Sequence, residues 1–277
     1  MANWRTFILL EMSRTEQKIY YILRIAAAMC FIGHGAFGII TKGIWCNYFA
    51  IFGISHQLAY QLMPILGSLD ILMGISLLFY PTKIVIIWLV VWGLITAALR
   101  PLSGEPFAEF IERAGNYGAP MTLLILNIPS KRIWLRLRPV YSSYNISERR
   151  LKQIRLCLQF IVFLLLAGHG WLNIIGKRSL LDQYVSLGFH DVNLVAKVVG
   201  VIELVMAVFT MITPVKSLLL IVLFWKICSE LFYPHFRLFE WIERGGSYGV
   251  ILALFFIMMP NTPFNKKKDY KIRIVTD

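Results

Sequence analysis

The chain has 277 residues, 58% of them hydrophobic and 16% charged, a balance too apolar for an ordinary soluble domain. Its apolar runs are continuous rather than alternating, which argues against a β-barrel and for membrane-crossing helices of about 20 residues each. The net charge of +13 does not indicate nucleic acid as a partner, because the 28 Lys and Arg cluster in short segments between or beyond the apolar runs, as cytoplasmic loops do.

In chain order, a basic N-terminal segment (Arg5, Arg14, Lys18) leads into a predicted span over 19–40, too long for a signal-peptide core and followed by no cleavage pattern. This span ends on GHGAFGIITKGIW, which sets His34 between two glycines. Spans over 58–80 and 82–99 follow, carrying Asp70 and ending beside Arg100. The fourth, 106–128, opens with FAEFIERAGNYG. Its uninterrupted apolar part covers only 117–128, too short to cross alone, so Glu109, Glu112 and Arg113 are drawn to the outer membrane boundary. A basic stretch then precedes four more predicted spans, 154–175, 192–213, 215–233 and 239–259, and a basic tail.

The second set repeats the first. GHGAFGIITKGIW returns as GHGWLNIIGKRSL, placing His169 135 residues after His34, and FAEFIERAGNYG returns as LFEWIERGGSYG. Asp70 matches Glu203 and Glu112 matches Glu243. The reading is an all-α integral membrane protein with eight transmembrane helices in two parallel-repeat four-helix bundles. Its divisions are 1–130 for the first unit, 131–153 for a cytoplasmic linker, 154–260 for the second unit and 261–277 for a cytoplasmic tail. Both termini fall on the cytoplasmic side, and a bacterial inner membrane is the expected setting.

Charges inside spans cost about 2.5–3.5 kcal/mol on insertion scales, so they face the bundle interior and mark candidate sites. The candidate catalytic set is His34, Asp70 and Glu112, with His169, Glu203 and Glu243 as counterparts. Arg24, Arg100, Arg113 and Tyr117, with Arg244 and Tyr248 in the second unit, are candidate ligand-binding groups. His34 is expected to share a depth with Glu112, Arg24 to pair with Asp70, and Glu109/Arg113 and Glu240/Arg244 to pair at i,i+4. The units also differ: Gly93 becomes Lys226, Ala97 becomes Glu230 and Arg100 becomes Tyr233, so one unit is expected to work while Lys226 and Glu230 neutralise each other. His56 and His190 read as surface residues. Cys30, Cys46, Cys157 and Cys228 form neither a CxxC pair nor a metal-ligand spacing, and no nucleotide or hydrolase motif is present.

The segments LGSLDILMGISLLFYPTK and VGVIELVMAVFTMITPVK, each preceded by a GHG-ended helix, resemble the DoxX-like family of small four-helix membrane proteins. The resemblance implies a four-helix bundle per unit, two units fused, and a quinone-linked role, since the family includes subunits of thiosulfate:quinone oxidoreductases. Three functions stay open. One is a quinone-linked membrane enzyme or subunit with redox partner proteins, its arginines holding a ligand oxygen and its His and carboxylates moving protons. The second is a small-molecule transporter with a site between the repeats, and the third a non-catalytic scaffold or receptor. Quinone is the candidate cofactor; no metal site is expected, and haem is disfavoured because the span histidines number only two.

Overall fold

Each apolar run must close its backbone hydrogen bonds within itself in lipid, which dictates helices. A computed structural model describes residues 4–127, 147–231 and 238–258. The first half comprises α1 (Trp4–Ile39), α2 (Trp45–Ala50), α3 (His56–Phe79), α4 (Lys83–Leu102), α5 (Ala108–Glu112) and α6 (Ala114–Leu126). The second comprises α7 (Glu148–Ile174), α8 (Arg178–Ser186), α9 (Val192–Ile212), α10 (Lys216–Leu231), α11 (Leu238–Glu243) and α12 (Gly245–Ile257). Ser55, Thr82, Ser147 and Asp191 stop backward fraying of α3, α4, α7 and α9 by accepting from the N–H three residues on. Most of the expected linker, the tail at 261–277 and Tyr233 lie outside the described residues.

Among the described residues, five helices are long and apolar enough to cross a membrane: Thr15–Ile39 of α1, α3, α4, α7 and α9. The protein is therefore an all-α membrane protein with a lipid bilayer as its surroundings. The five differ in burial. In α1 and α7, 61% of the apolar window is buried inside the protein, against 28% in α3, α4 and α9. The first pair is thus the centre, while α3, α4 and α9 turn Leu72, Val91 and Val201 outward to lipid.

Packing crosses between the halves. α1 lies along α3 and α7 along α9, yet α1 also packs on α11 and α12, and α7 on α5 and α6. One core results, joining Leu23 and Phe31 of α1, Leu123 of α6, Leu158 and Leu165 of α7, and Ile251 and Leu254 of α12. The described contacts thus run across the two halves of the chain as well as within each. Small residues explain the exchange. Gly118 packs against Ile161 and Gly249 against Ala26, where a Cβ would obstruct the opposite half.

The expected fourth span of each half is broken, at Arg113 (φ −85, ψ 14) and Arg244 (φ −76, ψ 1). The pieces after the breaks, α6 and α12, have 13 residues each. That is about 20 Å of helix against about 30 Å of hydrocarbon. Their N-termini meet at the centre, where a Cβ on Gly115 would lie 2.6 Å from the Ser247 nitrogen.

Candidate functional site

The two GHG segments sit near the ends of α1 and α7, and each glycine has its own neighbour. On the leading side, Gly33 lies against the Glu243 backbone and Gly168 against that of Glu112, so each first helix touches the broken helix of the opposite half. On the trailing side, Gly35 abuts the Gly67 carbonyl and Gly170 the Gly200 carbonyl, bringing in α3 and α9. The histidine between them is held in that narrow seam. His34 Nδ1 lies 2.7 Å from Asp70 Oδ2, and His169 Nδ1 lies 2.7 Å from Glu203 Oε2. With the Nδ1 proton donated to the carboxylate, Nε2 of a neutral imidazole is left as an acceptor.

His34 lies in the segment that packs on Glu243 and Arg244, because α1 packs on α11. Two expectations need correction. Arg24 does not pair with Asp70; its guanidinium donates to the Leu77 and Leu78 carbonyls at the far end of α3 and lies over Tyr20 and Tyr21. Glu109 and Arg113 do approach at i,i+4, at 3.9 Å, but Arg244 turns from Glu240 to Glu112 and Glu230, while Glu240 takes Lys42 at 3.0 Å. The crossed packing is again the cause, since it offers Arg244 a carboxylate from the other half.

These residues form a buried ionic lattice at the breaks. Glu112 accepts from Arg113 Nη1 at 2.9 Å and from Arg244, and Glu109 is shared by Arg113, Arg100 and Lys177. Arg100 also holds Glu105 at 3.1 Å, and Tyr48 donates to the same carboxylate at 2.6 Å. Burial, reinforced by Glu105, pushes the Tyr48 phenol up, so it remains a neutral donor. Tyr117 stacks on Phe110, and Tyr248 lies against Trp241. His56 and His190 are exposed, as expected.

A cavity of about 450 Å³ opens beside His34, within the range of about 300–1,000 Å³ typical of small-molecule pockets. Its polar wall includes His34, Arg100, Arg113, Asn116, Glu243 and Arg244. Its apolar wall comes from Phe37, Trp45, Phe49, Leu66, Trp92 and Ile95, with the His34 ring stacked on Trp45 at 4.7 Å. The matching place beside His169 holds only about 20 Å³. There Lys226 and Glu230, 3.2 Å apart as an expected i,i+4 pair, stand where the first half has Gly93 and Ala97. Asn173 bonds to Glu203 at 3.2 Å and receives the Tyr184 hydroxyl at 2.7 Å, where the first half has Gly38 and Phe49.

Sequence reasoning missed Trp45, Asn116, Lys177 and the Trp92/Trp225 pair. The last could have been found, since both tryptophans close matching blocks, IIWLVVW and LLLIVLFW. Trp225 Nε1 donates to Glu203 at 2.8 Å, whereas the buried Nε1 of Trp92 has no partner among the described residues. No group of three or more His, Cys, Asp or Glu among the described residues is placed to hold a metal ion. Comparisons of the chain with protein-family models, with curated proteins and with solved structures found no match.

Proposed function

We propose that the chain is a membrane subunit that binds a lipid-soluble quinone-class molecule in the first-half cavity and exchanges protons with it through His34. The observation that carries this reading is one place that combines room for a small molecule, an aromatic wall and a histidine bonded to a carboxylate that is 1% exposed. Rings pack on rings, and His34 stacked on Trp45 provides such a face. Leu66 and Ile95, on the two peripheral helices α3 and α4, offer an apolar path from lipid for a tail. Asp70 fixes the imidazole through Nδ1, as carboxylates do for histidines that move protons. The electrons belong to a redox partner protein.

The DoxX-like resemblance of α3 and α9, with their following turns, agrees with a quinone-linked role. In this reading α10 and the broken pairs α5–α6 and α11–α12 complete eight crossings in two related units, with the termini in the cytoplasm. The test is extraction of lipid from protein purified in a mild detergent, with quinone quantified per chain. About one quinone per chain is expected, falling on His34→Ala substitution. Protein that carries no quinone and takes up none when it is added would sink the proposal.

A solute transporter is the second reading, favoured by the broken helices that meet at Gly115 and Gly246. It requires solute flux in proteoliposomes that Asp70→Asn removes, with no dependence on quinone.

A further inference from the structure

Lys42 and Lys177 stand at matching places, each eight residues after its histidine. Lys42, in the connection that follows α1, reaches Glu240 of α11 at 3.0 Å, and Lys177, in the connection that follows α7, reaches Glu109 of α5. Glu240 is the counterpart of Glu109, so one contact between the halves is made twice. Both chains also turn alike, Lys42 N–H donating to the Phe37 carbonyl and Lys177 N–H to that of Leu172, at 3.0 Å each. Such a turn needs a left-handed residue just before the lysine. In the second half it is Gly176, at φ 70; in the first it is Thr41, at φ 52, the one non-glycine with a positive φ among the described residues. A β-branched side chain is strained there and glycine is not, and strain of this kind persists only where surrounding contacts hold it. The ion pairs differ as well. Glu109 is buried and shared by Lys177, Arg100 and Arg113, whereas the Lys42 and Glu240 side chains are 32% and 15% exposed. A pair in contact with water is weakly held and screened by salt, while a buried one is costly to break.

Lys42 and Glu240 both line the first-half cavity, and the Lys42 ammonium lies 4.0 Å from the centre of the Phe37 ring in the same wall. Lys42 also lies beyond the end of a membrane-crossing helix, where the chain leaves lipid. We propose that the Lys42–Glu240 pair is a releasable latch across the water-facing end of this cavity, with Thr41 as its strained hinge, and that Lys177–Glu109 is its fixed counterpart. On opening, the Lys42 ammonium leaves Glu240 for water, Thr41 relaxes to a negative φ, and Ile44, which follows on the same connection and lines the cavity, moves away with it. Strain at Thr41 offsets part of the attraction between the charges and so keeps the closed and open forms close in free energy, the condition for a population that conditions can shift. In the second half the glycine is relaxed, the carboxylate is buried, and only about 20 Å³ lies behind the pair. The latch acts alike for any occupant of the cavity, so its test needs none.

The test puts a cysteine at Thr96, which lines the cavity, and follows its reaction with membrane-impermeant methanethiosulfonates on the full chain in lipid nanodiscs. One reagent carries a sulfonate and one a trimethylammonium, so that a change in local charge cannot pass for a change in access, and the chain without Thr96→Cys gives the background of the four native cysteines. Lys42→Gln should speed labelling by both reagents about three-fold or more, as should high salt on the unlatched pair's parent. Lys42→Glu combined with Glu240→Lys should restore the slow rate, and Lys177→Gln should leave it unchanged. Thr41→Gly, which copies the second half, should slow labelling about five-fold or more, because it removes the strain that favours opening. Labelling that Lys42→Gln does not speed, that Lys177→Gln speeds as much, or that Thr41→Gly does not slow overturns the inference. If Lys42→Gln does not fold, Thr41→Gly and the salt dependence decide: slower labelling with the first and faster labelling in high salt uphold the latch, and any other result overturns it.

Discussion

Gly33→Ala tests the seam on which the site depends. A Cβ at this position would lie 2.7 Å from the Glu243 Cα and 2.9 Å from the Phe239 carbonyl oxygen. Carbon atoms in contact settle at about 3.5–4.0 Å, so α1 and α11 must part by about 1 Å, and the obstacle is backbone that cannot rotate aside. Overpacking of this kind costs about 1–3 kcal/mol. Gly43→Ala is the control, since its Cβ would meet only the Tyr60 hydroxyl, at 3.2 Å, the far end of a flexible side chain. Unfolding of both variants in mixed detergent micelles should show Gly33→Ala destabilised by about 1–3 kcal/mol and Gly43→Ala within about 0.5 kcal/mol of the parent. The shift also carries Glu243 away from His34, so ligand affinity should fall in Gly33→Ala alone. Equal stability of the two variants would refute the crossed contact between α1 and α11.

The two tryptophans give an opposed pair. Trp225→Phe removes a donor to the buried Glu203 and should cost about 1.5–3 kcal/mol in the same assay; Trp92→Phe removes an N–H without a described partner and should leave the ligand-free protein unchanged while weakening ligand binding. Glu112→Gln withdraws the charge that Arg113 and Arg244 share in a site 1% exposed, with an expected loss of about 3–5 kcal/mol. Asp70→Asn should retain the fold, measured by size-exclusion profile, but lower ligand affinity at least ten-fold, since His34 loses the group that sets its tautomer. Unchanged affinity there would remove Asp70 from the site.

Much of this was legible in the residues, for physical reasons. Continuous apolar runs fix helices in lipid, and the recurrence of GHG with an acidic residue one span later marks His34 and Asp70 as candidates, though not as each other's partner. The partner of each helix was not legible. Periodicity reports which face of a helix is apolar or small, not which of several similar helices covers it, and the matching segments FAEFIERAGNYG and LFEWIERGGSYG look alike. Gly33 and Gly168 announce a close approach without saying to what. Arg24 misled for a related reason. Its depth relative to Asp70 depends on the register of α1 on α3, and α3 presents the carbonyls of Leu77 and Leu78 to it instead. The cavity was visible only as differences between the units, Gly93 for Lys226 and Ala97 for Glu230, and its volume comes from side chains that are missing rather than from any that are there.

That last point bears on how the halves differ. A polar group inside a membrane protein must find a partner, and the second half supplies its own: Trp225, Asn173 and His169 on Glu203, Tyr184 on Asn173, and Lys226 on Glu230. A half so closed has only about 20 Å³ left and can stiffen the framework through Arg244, which reaches from it into the Glu112 of the other half. The first half shares that framework, and the shared ionic lattice lets it keep small residues at 38, 93 and 97 and leave Trp92 Nε1 and Asn116 Oδ1 without a hydrogen-bond partner among the described residues, in side chains that line about 450 Å³. Unsatisfied buried groups are destabilising unless something arrives to satisfy them. If the open half were merely a degraded copy, filling it with the second half's own Lys and Glu would raise stability and change nothing else. A working site instead requires that the same filling raise stability and abolish ligand binding together, and it is this joint outcome that separates a site from a flaw in packing.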